Sequence, residues 1–440
     1  MSAKPTGHET LAALRAGGLA GAQRIDLRGA SLAEFPPELF TLADTLEVLD
    51  LSGNGLSALP DDLHRLHRLR ILFGSDNAFT TLPPALGACT QLEMVGFKAN
   101  RIAHVPDACF AAGSALRWLI LTDNAIEVLP DTLGHCTRMQ KLMLAGNQLA
   151  ALPASLAGCV HLELLRLSAN RFAALPDWLG RLPRLAWLAC AGNPFNAALE
   201  AAALADTPFA AVPWAELTVG ERLGEGASGV IHAAHHRGAD GESAVAVKLF
   251  KGEVTSDGWP LSEMAASLAA GAAPHTVRVR GRVAGHPEGT DGLVLERIGP
   301  DWRNLAGPPS LASCTRDVYA EGLRLPHATA RAIARDIAAA VAHLHARGMV
   351  HGDLYAHNIL WRPGEALLGD FGAAALLPEA MAPAVQRTES RAFGCLLEEL
   401  LAHADVPEAL ADLAALRDTC LANDPAARPT MAQVRARLAS

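Results

Sequence analysis

Apolar and polar positions repeat with a fixed period through the first half of the chain. The period is marked by seven asparagines, spaced by 23 residues with one step of 24: Asn54, Asn77, Asn100, Asn124, Asn147, Asn170 and Asn193. The shared frame is LxxLxLxxNxLxxLP. A period this regular predicts stacked units, each of which buries its apolar face only against its neighbours. The LxL of each unit predicts a short strand with inward leucines, and the asparagine is expected to hydrogen-bond backbone groups at the turn.

Six full units run from residue 46 to residue 176, and these residues resemble the leucine-rich repeat family over roughly 24–200. The opening unit at 24–36 lacks the asparagine, and the closing unit at 185–195 loses its LP tail, as expected for caps of an open stack. The resemblance implies an α/β solenoid. We expect an N-terminal cap over residues 1–23 and a leucine-rich repeat domain over residues 24–205.

The strand positions that flank the inward leucines are unusually apolar and aromatic for a face that meets water. They include Phe73, Met94, Trp118, Met143 and Trp187, with Arg166 among the few basic members. Such clustering predicts a protein-binding patch on the concave face. Its partner is either another protein or the second half of this chain, and the alternative is a set of scattered exposed apolar side chains, which are normal.

Composition excludes several classes of protein. The 440 residues are 50% hydrophobic and 19% charged, which is typical of a folded chain, and the net charge of −9 argues against non-specific nucleic-acid binding. No secretory leader is visible, and no uncharged apolar run is long enough for a membrane span. The eight cysteines contain no CxxC pair, so neither a zinc site nor a disulfide framework is expected. We therefore expect a cytoplasmic protein, and abundant alanine and glycine suggest a bacterial source.

The repeat rhythm ends near Phe195, and an alanine-rich helical stretch follows to about Leu204. We expect a linker over residues 206–213 and a second domain over residues 214–440. This domain opens with a glycine-rich turn, GEGASGV at 224–230, which alone could belong to a dinucleotide site or a plain hairpin. Strand-like segments on both sides disfavour a dinucleotide site, where a helix should follow the turn.

Charged residues with the chemistry of a phosphate site follow. VAVK at 245–248 is an apolar strand that ends in one lysine, Lys248, about twenty residues after the turn, which suggests a phosphate ligand more than a solvated surface. Glu263 lies in a helical stretch and could pair with this lysine, whereas Glu253 is a weaker candidate close to the strand.

Two further segments carry oxygen ligands. HGDLYAHNIL at 351–360 contains Asp353 and Asn358 on one loop, and LGDFG at 368–372 contains Asp370 at the end of a short strand. Two carboxylates and an amide near a phosphate are suited to hold a hard cation and to supply a base. Each fragment alone could be a polar loop.

In this order the fragments resemble the protein kinase superfamily across about 214–438. GxGxxG, VAVK, HxDxxxxN and DFG follow the family order, and residues 420–430 resemble its C-terminal CxxxDPxxRPT element. LVLER at 293–297 resembles the strand that leads into the hinge, with Leu295 at the gatekeeper position. The resemblance implies an α+β two-lobed kinase fold and transfer of the γ-phosphate of ATP to a protein hydroxyl, of serine or threonine.

The resemblance also implies a role for each residue. Asp353 would accept or orient the proton of the substrate hydroxyl, and Lys248, oriented by Glu263, would hold the α- and β-phosphates. Asn358 and Asp370 would hold Mg²⁺. The other expected ATP contacts are Leu223, Gly224, Glu225, Gly226, Ala227, Ser228, Gly229, Val230, Ala246, Leu295, Glu296, Ile298 and Leu360.

Some positions depart from the family pattern. Gly352 replaces the usual arginine, Tyr355 stands where a lysine is common in serine/threonine kinases, and Glu389 stands where aspartate is usual.

HGD also resembles small-molecule kinases such as aminoglycoside phosphotransferases, although DFG and the DPxxRPT ending argue against that function. A third alternative is a catalytically weak scaffold on the kinase fold. We expect the repeats to bind a protein partner or to restrain the kinase, and the oligomeric state is left open.

Overall fold

A computed structural model describes residues 4–206, 209–239, 241–252 and 254–439. They fall into two compact units: the first is Met1–Leu165 with Asn170–Leu182, and the second is Arg166–Ala169 with Pro183–Ser440. The units thus divide near the last repeats, whereas the linker expected from the repeat pattern lies at 206–213. The first three residues of the expected cap, residues 207–208 of the linker and the alternative partner Glu253 lie outside the described residues.

The first unit begins with helix α1 (Gly7–Arg15). A capping box between Thr6 and Glu9 stabilises the N-terminus of this helix. Three-residue strands then follow in parallel, in chain order: β1 (Arg24–Asp26), β2 (Val48–Asp50), β3 (Ile71–Phe73), β4 (Met94–Gly96), β5 (Trp118–Ile120), β6 (Lys141–Met143) and β7 (Leu164–Arg166). Arg166, the last residue of β7, belongs to the second unit. Short 3₁₀ segments form the returns: Pro37–Leu42, Leu63–Arg65, Pro84–Ala88, Asp107–Cys109, Asp131–His135, Ala154–Gly158 and Leu179–Arg181. This is the predicted leucine-rich repeat solenoid.

The repeated asparagines hold successive units together. The Asn147 side chain donates to the carbonyls of Leu121 and Leu144 at 2.9 and 3.0 Å, and it accepts from the Ile126 N–H at 3.1 Å. Asn54, Asn77, Asn100 and Asn124 make equivalent bonds. Each side chain thus satisfies backbone groups of two units, because the short strands leave them without ladder partners.

The expected concave patch is less exposed than its composition suggests. Met94 is only 2% exposed, since the strand register places it between Ile71 and Trp118. Phe73, Trp118 and Met143 are half-buried. The Trp118 indole N–H donates to Met143 Sδ at 3.4 Å. The prediction of an open contact was therefore wrong for Met94, and the other three side chains remain candidates.

The second unit contains the last repeat strand and the kinase-like region. Its strands are β8 (Trp187–Ala189), β9 (Ala211–Pro213), β10 (Leu217–Glu225), β11 (Gly229–Gly238), β12 (Gly241–Phe250), β13 (Val279–Ala284), β14 (Gly292–Glu296), β15 (Arg303–Asn304), β16 (Met349–Val350), β17 (Ile359–Arg362), β18 (Glu365–Leu368) and β19 (Ala375–Leu376). Its helices are α2 (Ala197–Ala205), α3 (Pro260–Ala270), α4 (His327–Ala346), α5 (Ala382–His403), α6 (Ala411–Cys420) and α7 (Met431–Leu438). Single 3₁₀ turns occur at Trp214–Glu216, Ala356–Asn358, Pro407–Leu410 and Pro425–Ala427.

One sheet and a group of helices form the two lobes of this unit. The sheet has the order β10-β11-β12-β14-β13-β9, antiparallel except for the parallel pair β13 and β9. Its core is made of alternating apolar side chains, among them Val212, Val245, Val247, Val283 and Val294. The second lobe is built around α4 and α5, with two small sheets, β15-β17-β18 and β16-β19. Within the described residues, none of the helices has the length and apolarity that a membrane crossing requires.

Candidate active site

A cavity of about 540 Å³ lies in the second unit and is lined by residues of both lobes. The candidate residues that line it are Leu223, Gly226, Ala227, Ser228, Gly229, Ala246, Lys248, Glu263, Leu295, Glu296, Ile298, Asn358, Leu360 and Asp370. Four candidates are absent from its lining: Gly224, Glu225, Val230 and Asp353. Fragments more than a hundred residues apart in the chain therefore meet around one space.

The glycine-rich turn joins β10 and β11 as a hairpin. Gly226 donates its N–H to the Gly229 carbonyl at 2.9 Å. A Cβ at Gly229 would lie 2.5 Å from the Leu249 carbonyl oxygen, so no other residue fits there. Glu225 pairs instead with Lys251 and with Arg222, which explains why this side chain does not line the cavity.

Lys248 lies on β12, next to the middle of the sheet, and forms an ion pair with Glu263 in the first turn of α3. The Glu263 side chain is buried, at 4% exposure, and the Lys248 side chain is partly buried, at 12%. Burial raises the pKa of the Glu263 carboxyl, and the Lys248 ammonium opposes that rise. The pair therefore holds a cation at the cavity wall, where a phosphate would be neutralised.

Backbone and side-chain hydrogen bonds connect the loop 351–358 to the end of β18. His351 Nε2 lies 2.8 Å from the Gly369 carbonyl oxygen, and the Gly369 N–H donates to the Asn358 carbonyl at 2.8 Å. The Asn358 amide donates to the backbone carbonyl and to Oδ2 of Asp353, at 3.0 and 2.9 Å. The loop thus has a defined shape beside the cavity.

Asp370 adopts a left-handed conformation, with a φ of 51°, which aspartate tolerates better than most residues. Its Oδ1 accepts from the Gly372 N–H at 3.1 Å. Asp370 and Asn358 both line the cavity and present oxygen ligands. Strained conformations often occur at functional sites.

The oxygen donors fit Mg²⁺, which is usually held by one or two carboxylates together with phosphates and waters. Within the described residues, no group of three or more His, Cys, Asp or Glu side chains could hold a metal ion unaided. A cation at Asp370 and Asn358 would therefore take its remaining ligands from a bound nucleotide and from water.

Asp353 is engaged by an arginine that the sequence did not single out for the site. Arg166, the last residue of β7, contacts Asp353 Oδ1 through Nη2 and the Gly352 carbonyl through Nη1 at 3.2 Å. Its Nε lies 3.1 Å from Asp257 Oδ1. Burial raises the pKa of Asp353, but the guanidinium of Arg166, with His357 and His351 nearby, holds that pKa below its ordinary value. The only sequence signal for the contact between Arg166 and Asp353 is that Arg166 is a basic residue on a largely apolar strand face.

Gly352 has no room for the arginine that is usual in the family. Its φ is 74°, and a Cβ there would lie 2.4 Å from the Ala373 carbonyl oxygen and 2.8 Å from that of Leu188. Any side chain would therefore clash with backbone on two sides. The backbone of β8, through Leu188, approaches the loop at this point.

Several residues of the cavity were not among the expected contacts. Three of them lie inside the motifs but had no expected role: Leu293, His357 and Phe371. The others lie outside the motifs: Thr255, Asp257, Ser267, Thr276, Val277, Val279, Trp302 and Asn304. His357 is paired with Asp317 at 2.7 Å. Burial lowers the pKa of His357, yet Asp317, with Asp353 and Asp370, raises it overall. Nothing in the spacing of Asp257 or Trp302 pointed to a site.

Comparisons with known proteins agree with this architecture. The family profile described as "Protein kinase domain" matches residues 217–393, and profiles described as "Leucine rich repeat" match residues 90–149 and 45–66. A protein of Oryza sativa subsp. japonica named "Putative cyclin-dependent kinase F-2" is 31% identical over 214 residues, which cover 42% of this chain. The alignment spans 61% of that relative's length. The chain therefore combines leucine-rich repeats with a protein kinase domain, as the sequence predicted.

Proposed function

We propose that the chain is a protein kinase that transfers the γ-phosphate of Mg-ATP to a serine or threonine hydroxyl of a protein. The observation that carries the proposal is the meeting of Lys248, Glu263, Asn358 and Asp370 around one cavity beside the glycine-rich turn. A lysine, two oxygen ligands for a cation and backbone N–H groups are what a triphosphate requires. The kinase profile over 217–393 supports the same reaction.

Each residue has a part in this proposal. Lys248 binds the α- and β-phosphates, and Glu263 orients it through their ion pair. The turn 224–229 covers the phosphates with backbone N–H groups. Asn358 and Asp370 hold Mg²⁺, which when bound neutralises the charge of the phosphates. Leu295, Glu296 and Ile298 face the same cavity and would surround the base.

Asp353 accepts or orients the proton of the acceptor hydroxyl. The Asn358 amide at 2.9 Å fixes one oxygen of its carboxylate, so a base and a cation ligand share one loop. Catalysis in this scheme is positioning and electrostatic stabilisation, with no covalent intermediate on the protein.

The choice of serine or threonine rests on the resemblance to that kinase group, and the relative is aligned over only 61% of its length. In this proposal the half-buried side chains of Phe73, Trp118 and Met143 contact a partner protein. The repeats either bind this partner or regulate the kinase. All eight cysteines are free thiols, which fits a reducing, cytoplasmic location. A bacterial source stays a prediction from composition.

Transfer of labelled γ-phosphate tests the proposal. The full chain is incubated with labelled Mg-ATP, alone and with a generic protein acceptor, so that transfer to itself and to the acceptor are both measured. The Asp353→Asn and Asp370→Asn variants are compared under the same conditions. We expect incorporation into protein by the wild type, and its loss in both variants. Transfer only to a small metabolite would identify a small-molecule phosphotransferase instead.

A second candidate function is a scaffold that binds nucleotide without catalysis. The contact between Arg166 and Asp353 favours it, because this contact occupies the carboxylate that should act on the acceptor. Nucleotide binding without transfer to any acceptor, in the wild type and in a variant that lacks Arg166, would establish this function.

A further inference from the structure

The two sides of the catalytic loop differ within the second unit. The nucleotide side opens into the cavity of about 540 Å³, lined by Asn358 and Asp370. The acceptor side, formed by residues 352–355, is covered by side chains from β7 and β8. Asp353 does not line the cavity, and its side chain is only 15% exposed.

Arg166 is the centre of this cover. Its side chain is 5% exposed and contacts three groups: the Asp353 carboxylate, the Gly352 carbonyl and the Asp257 carboxylate. Burial disfavours the charge of Arg166, but the two carboxylates outweigh burial and raise its pKa overall. An arginine with two anionic partners stays charged at every pH at which the protein is folded. Both Asp353 oxygens therefore have partners, Arg166 on one and Asn358 on the other.

Trp187 covers the next two residues of the loop. Its ring stacks on that of Tyr355, with centroids 4.2 Å apart and an interplanar angle of 6°. Its indole N–H donates to the Leu354 carbonyl at 2.9 Å. Trp187 is 1% and Tyr355 4% exposed, so Trp187 is covered by the second half of the chain, which is one of the two partners that the sequence left open for this face. The stack occupies the position where kinases of this type commonly carry a lysine.

The backbone is shaped for this contact. Gly352 allows the Leu188 carbonyl to approach, since a Cβ there would lie 2.8 Å from that oxygen. Arg428 donates to the Pro183 carbonyl at 2.6 Å, and Arg391 donates to the Arg184 carbonyl at 3.2 Å. Two arginines of the helical lobe thus hold the segment that leads into β8.

From these contacts we propose that Arg166 and Trp187 form an inhibitory latch that closes the acceptor site while the nucleotide site stays open. The proposal rests on the kinase function proposed above and specifies how residues of the last repeats regulate it. An acceptor hydroxyl must reach Asp353 to be positioned. In the latched state a guanidinium already occupies that carboxylate, and the Trp187 ring covers the loop beside it. The chain then binds Mg-ATP but transfers phosphate to protein slowly until the latch opens.

The latch should affect the protein acceptor and Mg-ATP differently. Arg166 contacts Asp353, which does not line the nucleotide cavity, and Asp257, which lines it but is not proposed to hold the nucleotide. Loss of Arg166 should therefore leave the affinity for Mg-ATP nearly unchanged. The acceptor competes with the guanidinium for one carboxylate. Opening should therefore raise kcat/KM for the acceptor and leave the KM for ATP as it is.

The test compares Arg166→Gln and Trp187→Phe with the wild type in the full chain. Glutamine removes the charge, and phenylalanine keeps an aromatic ring but loses the N–H that bonds Leu354. Arg171→Gln is the matched control, since Arg171 is exposed and lies five residues further along the chain. Transfer to a generic protein acceptor and the Kd for Mg-ATP are measured for each, with circular dichroism as a check of folding.

We expect Arg166→Gln to raise kcat/KM for the acceptor by about tenfold, within the range usual for coupling between sites. Trp187→Phe should give a smaller rise, and Arg171→Gln none. A folded Arg166→Gln protein with an unchanged or lower rate would overturn the latch, and if that protein does not fold, the Trp187→Phe rate decides in the same way. Absence of Mg-ATP binding in the wild type would instead refute the kinase function.

Discussion

The Glu389 carboxylate accepts a hydrogen bond from the Gly352 N–H at 2.7 Å. Its other oxygen lies 2.8 Å from His345 Nε2, and the Glu389 side chain is 2% exposed. Helix α5 thereby fixes the start of the loop that carries Asp353. Glutamate at this position, a departure from the family's aspartate, still reaches the loop backbone.

Replacing Glu389 by alanine should destabilise the protein by about 3 kcal/mol, because a buried pair loses one member and the Gly352 N–H loses its acceptor. Urea unfolding at pH 7 measures the loss. Burial raises the pKa of Glu389, but His345, His351 and the Gly352 N–H together hold that pKa below its ordinary value. The carboxylate therefore contributes stability above the ordinary glutamate pKa, and this contribution disappears as the pH falls through the lowered pKa. Glu398→Ala, on the exposed side of α5, should change stability little.

The repeat architecture could be predicted from sequence because one local pattern recurs many times. Asn147 and Asn124 make equivalent hydrogen bonds. The pattern of each unit therefore supports the same assignment in the other units. The walls of the cavity could be predicted for a different reason, since the order of four motifs is specific even though each motif is weak.

The acceptor side of the loop could not be predicted in this way. Arg166 and Asp353 are 187 residues apart, and nothing local to either one indicates the other. Met94 and Trp187 looked exposed because strand alternation decides only the face on which a side chain lies. Burial depends on what packs against that face, which periodicity does not contain. The need for glycine at Gly352 likewise arises from the approach of Leu188, a tertiary feature.

Lys248→Met should lower phosphotransfer about 100-fold, since the phosphates lose a positioned cation and Glu263 loses its partner. Its effect is measured as kcat with a generic protein acceptor and as the Kd for Mg-ATP. Lys251→Met is the matched control, because Lys251 lies just beyond β12, pairs with Glu225 and is 37% exposed. Equal losses in the two variants would argue against a specific role for Lys248.

Asn147→Ala should destabilise the repeat unit by about 3 kcal/mol, because buried backbone groups at Leu121, Ile126 and Leu144 lose their partner. Thermal and urea unfolding measure the change. Gln148→Ala serves as control. Gln148 follows Asn147 and donates its backbone N–H to the Ile126 carbonyl, a bond that alanine retains. A loss in Asn147→Ala no larger than in the control would contradict the bridging role.

Glu399 should make the protein less stable in mildly alkaline solution than in acid. Burial raises the pKa of Glu399 from 4.5 to about 7, with Asp317 adding to the rise, and the Tyr319 hydroxyl donates to its Oε2 at 2.9 Å. A raised carboxyl pKa means that the folded state prefers the protonated acid. This preference stabilises the protein fully below about pH 4.5 and is lost as the pH rises to about 7.

Glu399→Gln removes this titration and keeps a neutral group of similar shape. We expect the variant to be more stable than the wild type by roughly 2 kcal/mol at pH 8, and nearly equal to it at pH 4.5. Free energies of unfolding from urea titrations at several pH values give the comparison, with Glu398→Gln, on the exposed neighbouring position, as control. A constant difference across this range would show that Glu399 titrates normally, and a less stable variant at pH 8 would show that the carboxylate is the form the fold prefers.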